Sequence, residues 1–208
     1  MKNFKSIMCF LILAMVIFTW PAAAGEITVL PQYKIFIDSE NMGAATGLKV
    51  AVGNGVYIFG SVYKNLAPTY MQQQLAKIDV VGVGFGIAEK LTENLKLCID
   101  AGYFSPQVSQ IEGTGREAMT YYINDRVGNK PRQDFDYDVG GAFGASISLH
   151  LAKQVSKHCS FSLNMGYDAL SLPSKTTAYD NDSGNLNEFN DQLNCSGPTF
   201  GFGWTWKF

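Results

Sequence analysis

The sequence has little charge and few of the side chains on which most enzymes and nucleic-acid-binding proteins rely. Only 16% of its 208 residues are Asp, Glu, Lys or Arg, against about a quarter in ordinary soluble domains. The formal net charge is -2, so the composition gives no support for nucleic-acid binding. Two histidines and four cysteines leave few candidates for catalysis or metal binding.

Long apolar runs are also lacking after the first 24 residues. Lys2 and Lys5 precede an apolar run over 7–20, and small residues follow it up to Ala24. This order is typical of a secretory signal peptide, and the run is shorter than the roughly 20 residues that a membrane-spanning helix needs. We expect cleavage near Ala24, which leaves residues 25–208 as a single domain.

What the chain does have is a last strand in which aromatic side chains alternate with small or polar ones. Alternate side chains of a strand point to opposite faces, so one face of this strand is wholly aromatic. Five aromatics in a row fit poorly into one packed soluble core, whereas Trp favours the interface of a membrane. The pattern therefore predicts a strand that faces lipid, through Phe200, Phe202, Trp204, Trp206 and Phe208.

Seven further segments can be read as strands, and the connections between them alternate in length. The predicted strands cover about 27–38, 47–52, 56–63, 77–88, 94–104, 134–151, 158–170 and 199–208. Long polar connections at 39–46, 64–75, 105–133 and 171–195 alternate with short ones at 53–55, 89–93 and 152–157. An even number of strands joined in this rhythm is typical of outer-membrane barrels. The facing of 56–63 stays open, because both of its faces are apolar.

The chain resembles the small bacterial outer-membrane β-barrels of the OmpA and OmpX type, whose last strand typically carries alternating aromatics and a terminal Phe. The resemblance implies an all-β fold, namely an eight-stranded antiparallel up-and-down transmembrane β-barrel with short periplasmic turns and long external loops. It also implies location in a Gram-negative outer membrane, contact with its lipids and lipopolysaccharide, and recognition of the last strand by the barrel assembly machinery.

The inward side chains of such a barrel fill a lumen that is too narrow for an open pore. Charges in a lumen must pair or contact water, so we expect a network of salt bridges, with a gated ion path as the alternative. Glycines 82, 84 and 86 leave space that we expect large side chains from across the barrel to fill. The predicted polar network consists of Lys34, Lys49, Lys96, Asp100, Asp136, Asp138, Asn164 and Asp168.

Catalysis and metal binding find little support in the sequence. A hydrolase needs a Ser beside a His base that a third group orients, yet His150 and His158 fall near the predicted periplasmic end, away from the outer leaflet. Acidic residues at 134–138 and in 180–191 suit calcium by type but not by pattern. We expect no enzymatic activity, no cofactor and no metal. The cysteines after residue 24 are predicted to lie too far apart for a disulfide.

The external loops are the expected place of function. The longest, 105–133, combines charges of both signs with a Tyr pair, which suits contact with a polysaccharide, a host surface or a phage through Arg116, Tyr121, Tyr122 and Arg126. We expect a non-enzymatic integral outer-membrane protein that presents loops for adhesion, interaction or envelope integrity. The alternatives are a lipid-modifying enzyme of the lipid A acyl hydrolase or acyltransferase type, a narrow channel, and a secreted soluble lipocalin-like barrel.

Overall fold

The structure is a computed structural model that describes residues 25–38, 41–66, 69–70, 73–74, 76–109, 114–127, 133–180 and 186–208. The predicted signal peptide over 1–24 lies outside these residues. The strands are β1 Glu26–Asp38, β2 Asn41–Asn54, β3 Val56–Leu66, β4 Thr69–Tyr70, β5 Gln73–Gln74, β6 Lys77–Lys90, β7 Leu95–Ser109, β8 Gln133–Val139, β9 Ala142–Ser156, β10 Cys159–Ala169, β11 Ser171–Asp180, β12 Leu186–Asn194 and β13 Gly197–Lys207. A helix, α1, covers Thr114–Val127 between β7 and β8.

Eight antiparallel strands close into a barrel in the order β1-β13-β10-β9-β7-β6-β3-β2, and β2 pairs again with β1. The first and last strands complete the circle, with Ile27 opposite Trp206 and Tyr33 opposite Phe200. Each barrel strand therefore has a partner on both sides, which removes the exposed edges of an open sheet. The predicted all-β, eight-stranded antiparallel barrel is confirmed.

The outer face of the barrel is apolar and the inner face is largely polar. All five aromatics of the last strand are exposed on the outside, while Gly201, Gly203 and Thr205 face inward. A soluble barrel has a polar outer face and an apolar interior. Lipid favours the apolar outer face and polar interior that this barrel has. Burial also settles the facing of β3, because Tyr57 and Tyr63 are buried and Val56 is exposed. No helix in the described ranges is long and apolar enough to cross a membrane.

Glycines on the inner face of β6 make room for aromatic rings. A Cβ on Gly82 would lie 2.5 Å from the ring of Phe104, and one on Gly86 would collide with the ring of Tyr57. These rings do fill the predicted space. They come from the neighbouring strands β7 and β3, where Phe104 and Tyr57 stand directly opposite the glycines, rather than from across the barrel.

Three short turns and both ends of the described chain lie together at one end of the barrel, which we call the turn end. The turns are at 55, 91–94 and 157–158. Gly53 and Gly55 have φ of 133° and 81°, values that glycine adopts without strain. The backbone nitrogen of Phe208 bonds to the oxygen of Gly25 at 3.1 Å, and that of Lys207 to His158 at 2.9 Å.

Several predicted boundaries are wrong at the opposite end. β2 begins at Asn41, so most of the predicted loop 39–46 is strand. The connection 64–75 contains the β4–β5 hairpin, and 105–133 contains α1. The predicted loop 171–195 forms β11 and β12, and the predicted strand 134–151 is two strands, β8 and β9. Side-chain alternation indicates that the backbone is extended, but it does not indicate which strand pairs with that backbone. The alternation therefore continues across the break between β8 and β9.

Three neighbouring barrel strands continue beyond the barrel as a second sheet. β9, β10 and β13 are adjacent, and β8, β11 and β12 pair in the same order. Only residues 140–141, 170 and 195–196 separate each strand from its continuation. Backbone bonds hold the junction, from Gly140 to the oxygen of Pro173 at 2.7 Å and from Cys195 to that of Leu170 at 2.8 Å. We call this sheet together with α1 the cap.

Apolar residues fill the space where the cap meets the barrel. Met119 and Ile123 of α1 are fully buried against Ala178 of the cap sheet. α1 also contacts β4 and β5. Below α1, a cluster that we call the apolar plug occupies the mouth of the barrel. The plug consists of Ala45, Tyr63, Leu66, Ala76, Ile78, Val80, Val139, Leu170, Leu172, Leu193 and Cys195.

Candidate functional site

The middle of the lumen is organised around the buried carboxylate of Asp100. Alternation on β7 points this side chain inward, where it is 3% exposed. The Lys49 ammonium lies 2.5 Å from Oδ2, the Ser146 hydroxyl donates to the same atom at 2.7 Å, and the Tyr57 hydroxyl donates to Oδ1 at 2.6 Å. Lys49 also lies 4.8 Å from the centre of the Phe59 ring, a favourable cation–π position. Protein groups thus compensate both charges.

A second ion pair lies nearer to the cap. The Lys34 ammonium is 3.0 Å from Oδ2 of Asp168, and it sits 5.1 Å from the centre of the Tyr63 ring. The Tyr63 hydroxyl lies 2.9 Å from the same Oδ2 and 3.1 Å from Oε1 of Gln32. This pair closes the polar part of the lumen, because Tyr63 also belongs to the apolar plug above it.

A third group of charges lies at the turn end. Lys96 is 2.8 Å from Oε2 of Glu26, and Lys207 is 3.8 Å from Oε1 of the same carboxylate. Between this group and Asp100, Asn164 donates to the Ser148 hydroxyl at 3.3 Å. The lumen therefore carries ion pairs at three levels, each joining strands that are far apart in the sequence.

The structure places six of the eight predicted network residues in the lumen and two outside it. Lys34, Lys49, Lys96, Asp100, Asn164 and Asp168 all point inward. The prediction is wrong for Asp136 and Asp138, which lie on the exposed face of β8 in the cap. Treating 134–151 as one barrel strand caused the error.

Sequence reasoning missed several lumen residues that are important in the network. Glu26 and Gln32 alternate with the outward residues of β1 in phase with Lys34, so the same periodicity was available to find them. Tyr57 and Tyr63 could not be assigned, because both faces of β3 are apolar in sequence. Their burial and their hydroxyl contacts with Asp100 and Asp168 show which face is inside.

Two small cavities lie within the network. One of about 40 Å³ lies toward the turn end, another of about 20 Å³ lies toward the cap, and Lys49 and Asn164 line both. Each has room for a few waters at most. Ser61 Oγ, His150 Nε2 and Asn164 Oδ1 are buried without a partner among the described residues, and waters in these cavities would supply one.

The cap carries the four residues predicted for external contacts, and two of them hold the cap together. The Tyr122 hydroxyl and Nη1 of Arg126, the latter at 2.7 Å, both donate to Oδ2 of Asp191 on β12. Arg126 also lies 4.5 Å from the centre of the Tyr122 ring. We call this group the helix clasp. Tyr121 is exposed, and Arg116 is exposed with Asp134 at 3.6 Å. A role of these residues in binding a partner stays a prediction.

The clasp shifts the ionisation of its members in opposite directions. Burial alone would raise the pKa of Asp191, but the Tyr122 hydroxyl and the Arg126 guanidinium outweigh burial and hold this pKa below its usual value. Burial, followed by the hydrogen bond to Asp191 and its charge, raises the pKa of Tyr122. At pH values between the pKa of Asp191 and that of Tyr122, the clasp therefore contains a charged carboxylate and a neutral phenol.

Acid is expected to loosen α1 from the cap sheet. Because the pKa of Asp191 is depressed, its contribution to stability is present above the usual carboxyl pKa of about 3.9 and is lost as pH falls through the lowered value. Amide hydrogen exchange in α1, corrected for intrinsic rates, should be about two- to fivefold faster at pH 3 than at pH 6, as suits a half-exposed pair.

Two variants on β12 separate the clasp from general acid effects. Asp191→Asn should give the faster exchange at both pH values and remove the pH dependence. Glu188→Gln changes an acid on the same strand that pairs with Lys175 and not with α1, so it should keep the wild-type response. An unchanged pH dependence in Asp191→Asn would contradict the assignment.

The structure assembles no nucleophile, base and orienting group from the described residues. His150 lies in the lumen, where no described residue bonds to Nε2, and His158 is exposed at the turn end with Nδ1 3.3 Å from the backbone oxygen of Lys207. No disulfide joins Cys98, Cys159 and Cys195. Within the described ranges, no group of three or more His, Cys, Asp or Glu is placed to hold a metal ion.

Comparison with known proteins identifies the fold alone. No protein-family model matches the chain, and no curated protein matches it. OprG from Pseudomonas aeruginosa has a similar structure with a TM-score of 0.54 and 10% identity, over 89% of this chain and 96% of that one. The E. coli Outer Membrane Protein W gives 0.46 at 10% identity, over 89% and 98%. A major outer membrane protein from Thermus thermophilus gives 0.44 at 11% identity, over 88% and 99%. The closed barrel, its apolar outer face and the likeness to OprG together show that this chain has the fold of the small eight-stranded outer-membrane β-barrels.

Proposed function

We propose that this chain is a non-enzymatic integral outer-membrane protein whose barrel is a rigid scaffold for the cap. The observation that carries the proposal is the continuation of three hydrogen-bonded barrel strands into the cap sheet. A loop presented for binding is usually mobile and variable. Here the presented surface is instead an extension of the barrel, fastened by the helix clasp and by the apolar plug.

The orientation follows from the three long connections at the cap end, which join β3 to β6, β7 to β9 and β10 to β13. Outer-membrane barrels place short turns in the periplasm and long connections outside the cell. By this rule the turn end is periplasmic and the cap is external, in contact with lipopolysaccharide and available to a host or surface ligand. The exposed aromatics of β13 are the part of the chain that the barrel assembly machinery would recognise.

The lumen supports a scaffold rather than a channel. Its charges are paired at three levels, its cavities have room for only a few waters, and the apolar plug covers the end toward the cap. An ion crossing this lumen would have to break buried pairs and pass an apolar cluster, and both steps are costly. We therefore expect no conductance steps when the purified protein is added to a planar bilayer.

Labelling on intact cells tests the orientation. In a background with Cys98, Cys159 and Cys195 replaced by Ala, a single cysteine is introduced by Tyr121→Cys in the cap or by Glu93→Cys in a short turn. Both positions are exposed. A membrane-impermeant maleimide polymer should shift the Tyr121→Cys protein on intact cells and the Glu93→Cys protein only after the outer membrane is permeabilised.

Faster gel migration of unheated samples serves as the folding control for both variants. The opposite labelling pattern would place the cap in the periplasm and overturn the proposal. Fractionation of either folded variant with soluble proteins would overturn the membrane location as well.

A further inference from the structure

The outer face of the cap sheet looks sideways, over the membrane. Tyr167 and Ala169 are outward and exposed on β10, and Ser171, Pro173 and Lys175 continue the same alternation on β11. The face of the cap sheet that carries Lys175 is therefore continuous with the lipid-facing side of the barrel. A molecule that contacts this face approaches from beside the protein, at the level just outside the apolar outer face of the barrel, which we call the apolar belt.

This face contains a cleft of about 490 Å³, within the range of about 300–1,000 Å³ that holds small ligands. Side chains from all three strands line it in two rows. Asp138, Lys175 and Asn190 stand opposite one another in the first row. Pro173 and Gln192 pair in the second, beside Gly140. Gly140 carries no side chain, and this keeps the end of the cleft open.

The groups in the cleft suit a neutral ligand that is rich in hydroxyl groups. Asp138 uses Oδ1 to accept from the backbone of Val139, which leaves Oδ2 for a ligand. Lys175 is paired with Glu188 at 2.8 Å. The Asn190 side chain makes no hydrogen bond with any described residue, and Gln192 binds the Ser171 hydroxyl only through Oε1, so both amides retain donors. Asp138 would repel an anion, and Lys175 would repel a cation. Sugar hydroxyls donate and accept, so they can use carboxylate, ammonium and amides together.

The height of the cleft suits the saccharide part of a membrane glycolipid. Tyr167 lies on the outer side of the barrel, and Lys175 follows eight residues later. At about 3.3 Å per residue this is roughly 26 Å along the strand, or about 20 Å above Tyr167 for the tilt of about 40° that is usual in such barrels. That height is beyond the acyl chains and within the layer of sugars that lipopolysaccharide places outside the outer leaflet.

We propose that the cleft binds neutral sugar units in the core saccharide of lipopolysaccharide next to the barrel. The inference rests on the proposed function, because the cap must be outside the cell to meet these sugars. It goes further in assigning a ligand class and the side chains that take part. Asp138, Asn190 and Gln192 would chelate neighbouring hydroxyls, and Lys175 would donate to a ring or glycosidic oxygen.

The test uses the full mature chain in nanodiscs of three compositions, which are phospholipid alone, phospholipid with rough lipopolysaccharide carrying a complete core, and phospholipid with deep-rough lipopolysaccharide cut back to the innermost sugars. The side-chain amide signals of Asn190 and Gln192 in ¹⁵N NMR should shift with the complete core and stay unchanged in the other two. Soluble dephosphorylated core oligosaccharide, titrated into phospholipid nanodiscs, should produce the same shifts saturably.

The double variant Asn190→Ala and Gln192→Ala should weaken binding of the soluble core oligosaccharide by about tenfold. The backbone amide signal of Lys175 measures this binding. Asn94→Ala removes an exposed amide at the turn end and should leave binding unchanged. Equal shifts with deep-rough lipopolysaccharide would assign the effect to phosphate or lipid and overturn the proposal, as would no shift with any sample. Binding of lacto-N-hexaose without binding of the core oligosaccharide would overturn the assignment of the ligand to lipopolysaccharide.

The nanodisc result does not depend on the orientation of the protein in cells. A periplasmic cap found by cysteine labelling, together with saturable core binding in nanodiscs, would overturn the proposed function and leave the cleft assignment standing. An external cap without core binding would overturn the cleft assignment and leave the proposed function standing.

Discussion

Replacing Asp100 by alanine is expected to lower the free energy of unfolding of the barrel by about 3–5 kcal/mol, the range observed when one partner of a buried ion pair is removed. Lys49 would remain in the lumen, where it is 8% exposed, without its counter-charge. The hydroxyls of Tyr57 and Ser146 would lose their acceptor at the same time. Urea unfolding in phospholipid vesicles, followed by tryptophan fluorescence, measures the change.

Two comparisons make this result specific to the buried charge. Asp79→Ala breaks a pair with Lys64, whose ammonium is exposed at the rim of the barrel, and should cost about 0–1 kcal/mol. The double variant Lys49→Met and Asp100→Leu removes both charges and should recover most of the loss. If Asp100→Ala cost no more than Asp79→Ala, the central role of Asp100 in the lumen would be wrong.

Replacing Leu163 by arginine should destabilise the protein by about 2–4 kcal/mol, the cost of an arginine near the middle of a lipid-facing belt. Leu163 is exposed on the outer face of β10, opposite Leu151 on one side and Phe202 on the other. No described acidic side chain stands opposite it, and lipid supplies no counter-charge. The same urea titration measures the loss.

Val155→Arg is the matched control, because Val155 is also apolar and exposed but lies at the turn end beside Lys153 and Gln154. A charge there reaches the interface, and we expect a cost of about 0–1 kcal/mol. Equal effects of Leu163→Arg and Val155→Arg would mean that the apolar belt does not contact lipid, and the membrane location would then have to be abandoned.

The barrel could be predicted from the sequence because its chemistry repeats every second residue. The five aromatic residues of the last strand point outward, and Lys34, Lys49 and Asp100 point inward, as the alternation indicates. Alternation cannot show which residues meet across the lumen. Lys34 and Asp168 are 134 residues apart, and only closure of the barrel brings them to 3.0 Å. Partners of this kind depend on the order of strands and not on any local pattern.

The cap escaped prediction for a different reason. Its strands carry the polar residues that favour loops, such as Asn187, Asn190 and Asn194, and they become a sheet only because barrel strands below them fix the register. Among the α1 side chains that the structure describes, the buried apolar ones are Met119 and Ile123, one turn apart, among charged and aromatic neighbours. That stripe is too short for helical periodicity to stand out. Tertiary context thus overrode local composition in the part of the chain where function is proposed.

The continuity between cap and barrel determines how the molecule carries a load. A partner that pulls on the cap transmits tension along β10 and β11, which Leu170 alone separates, and along β12 and β13. Within the barrel this tension acts as shear on many inter-strand hydrogen bonds at once, rather than peeling them one at a time. The apolar belt anchors the loaded strands on the other side. An attachment made through this cap should therefore fail at the bond to the partner before the protein itself is extracted or unravelled.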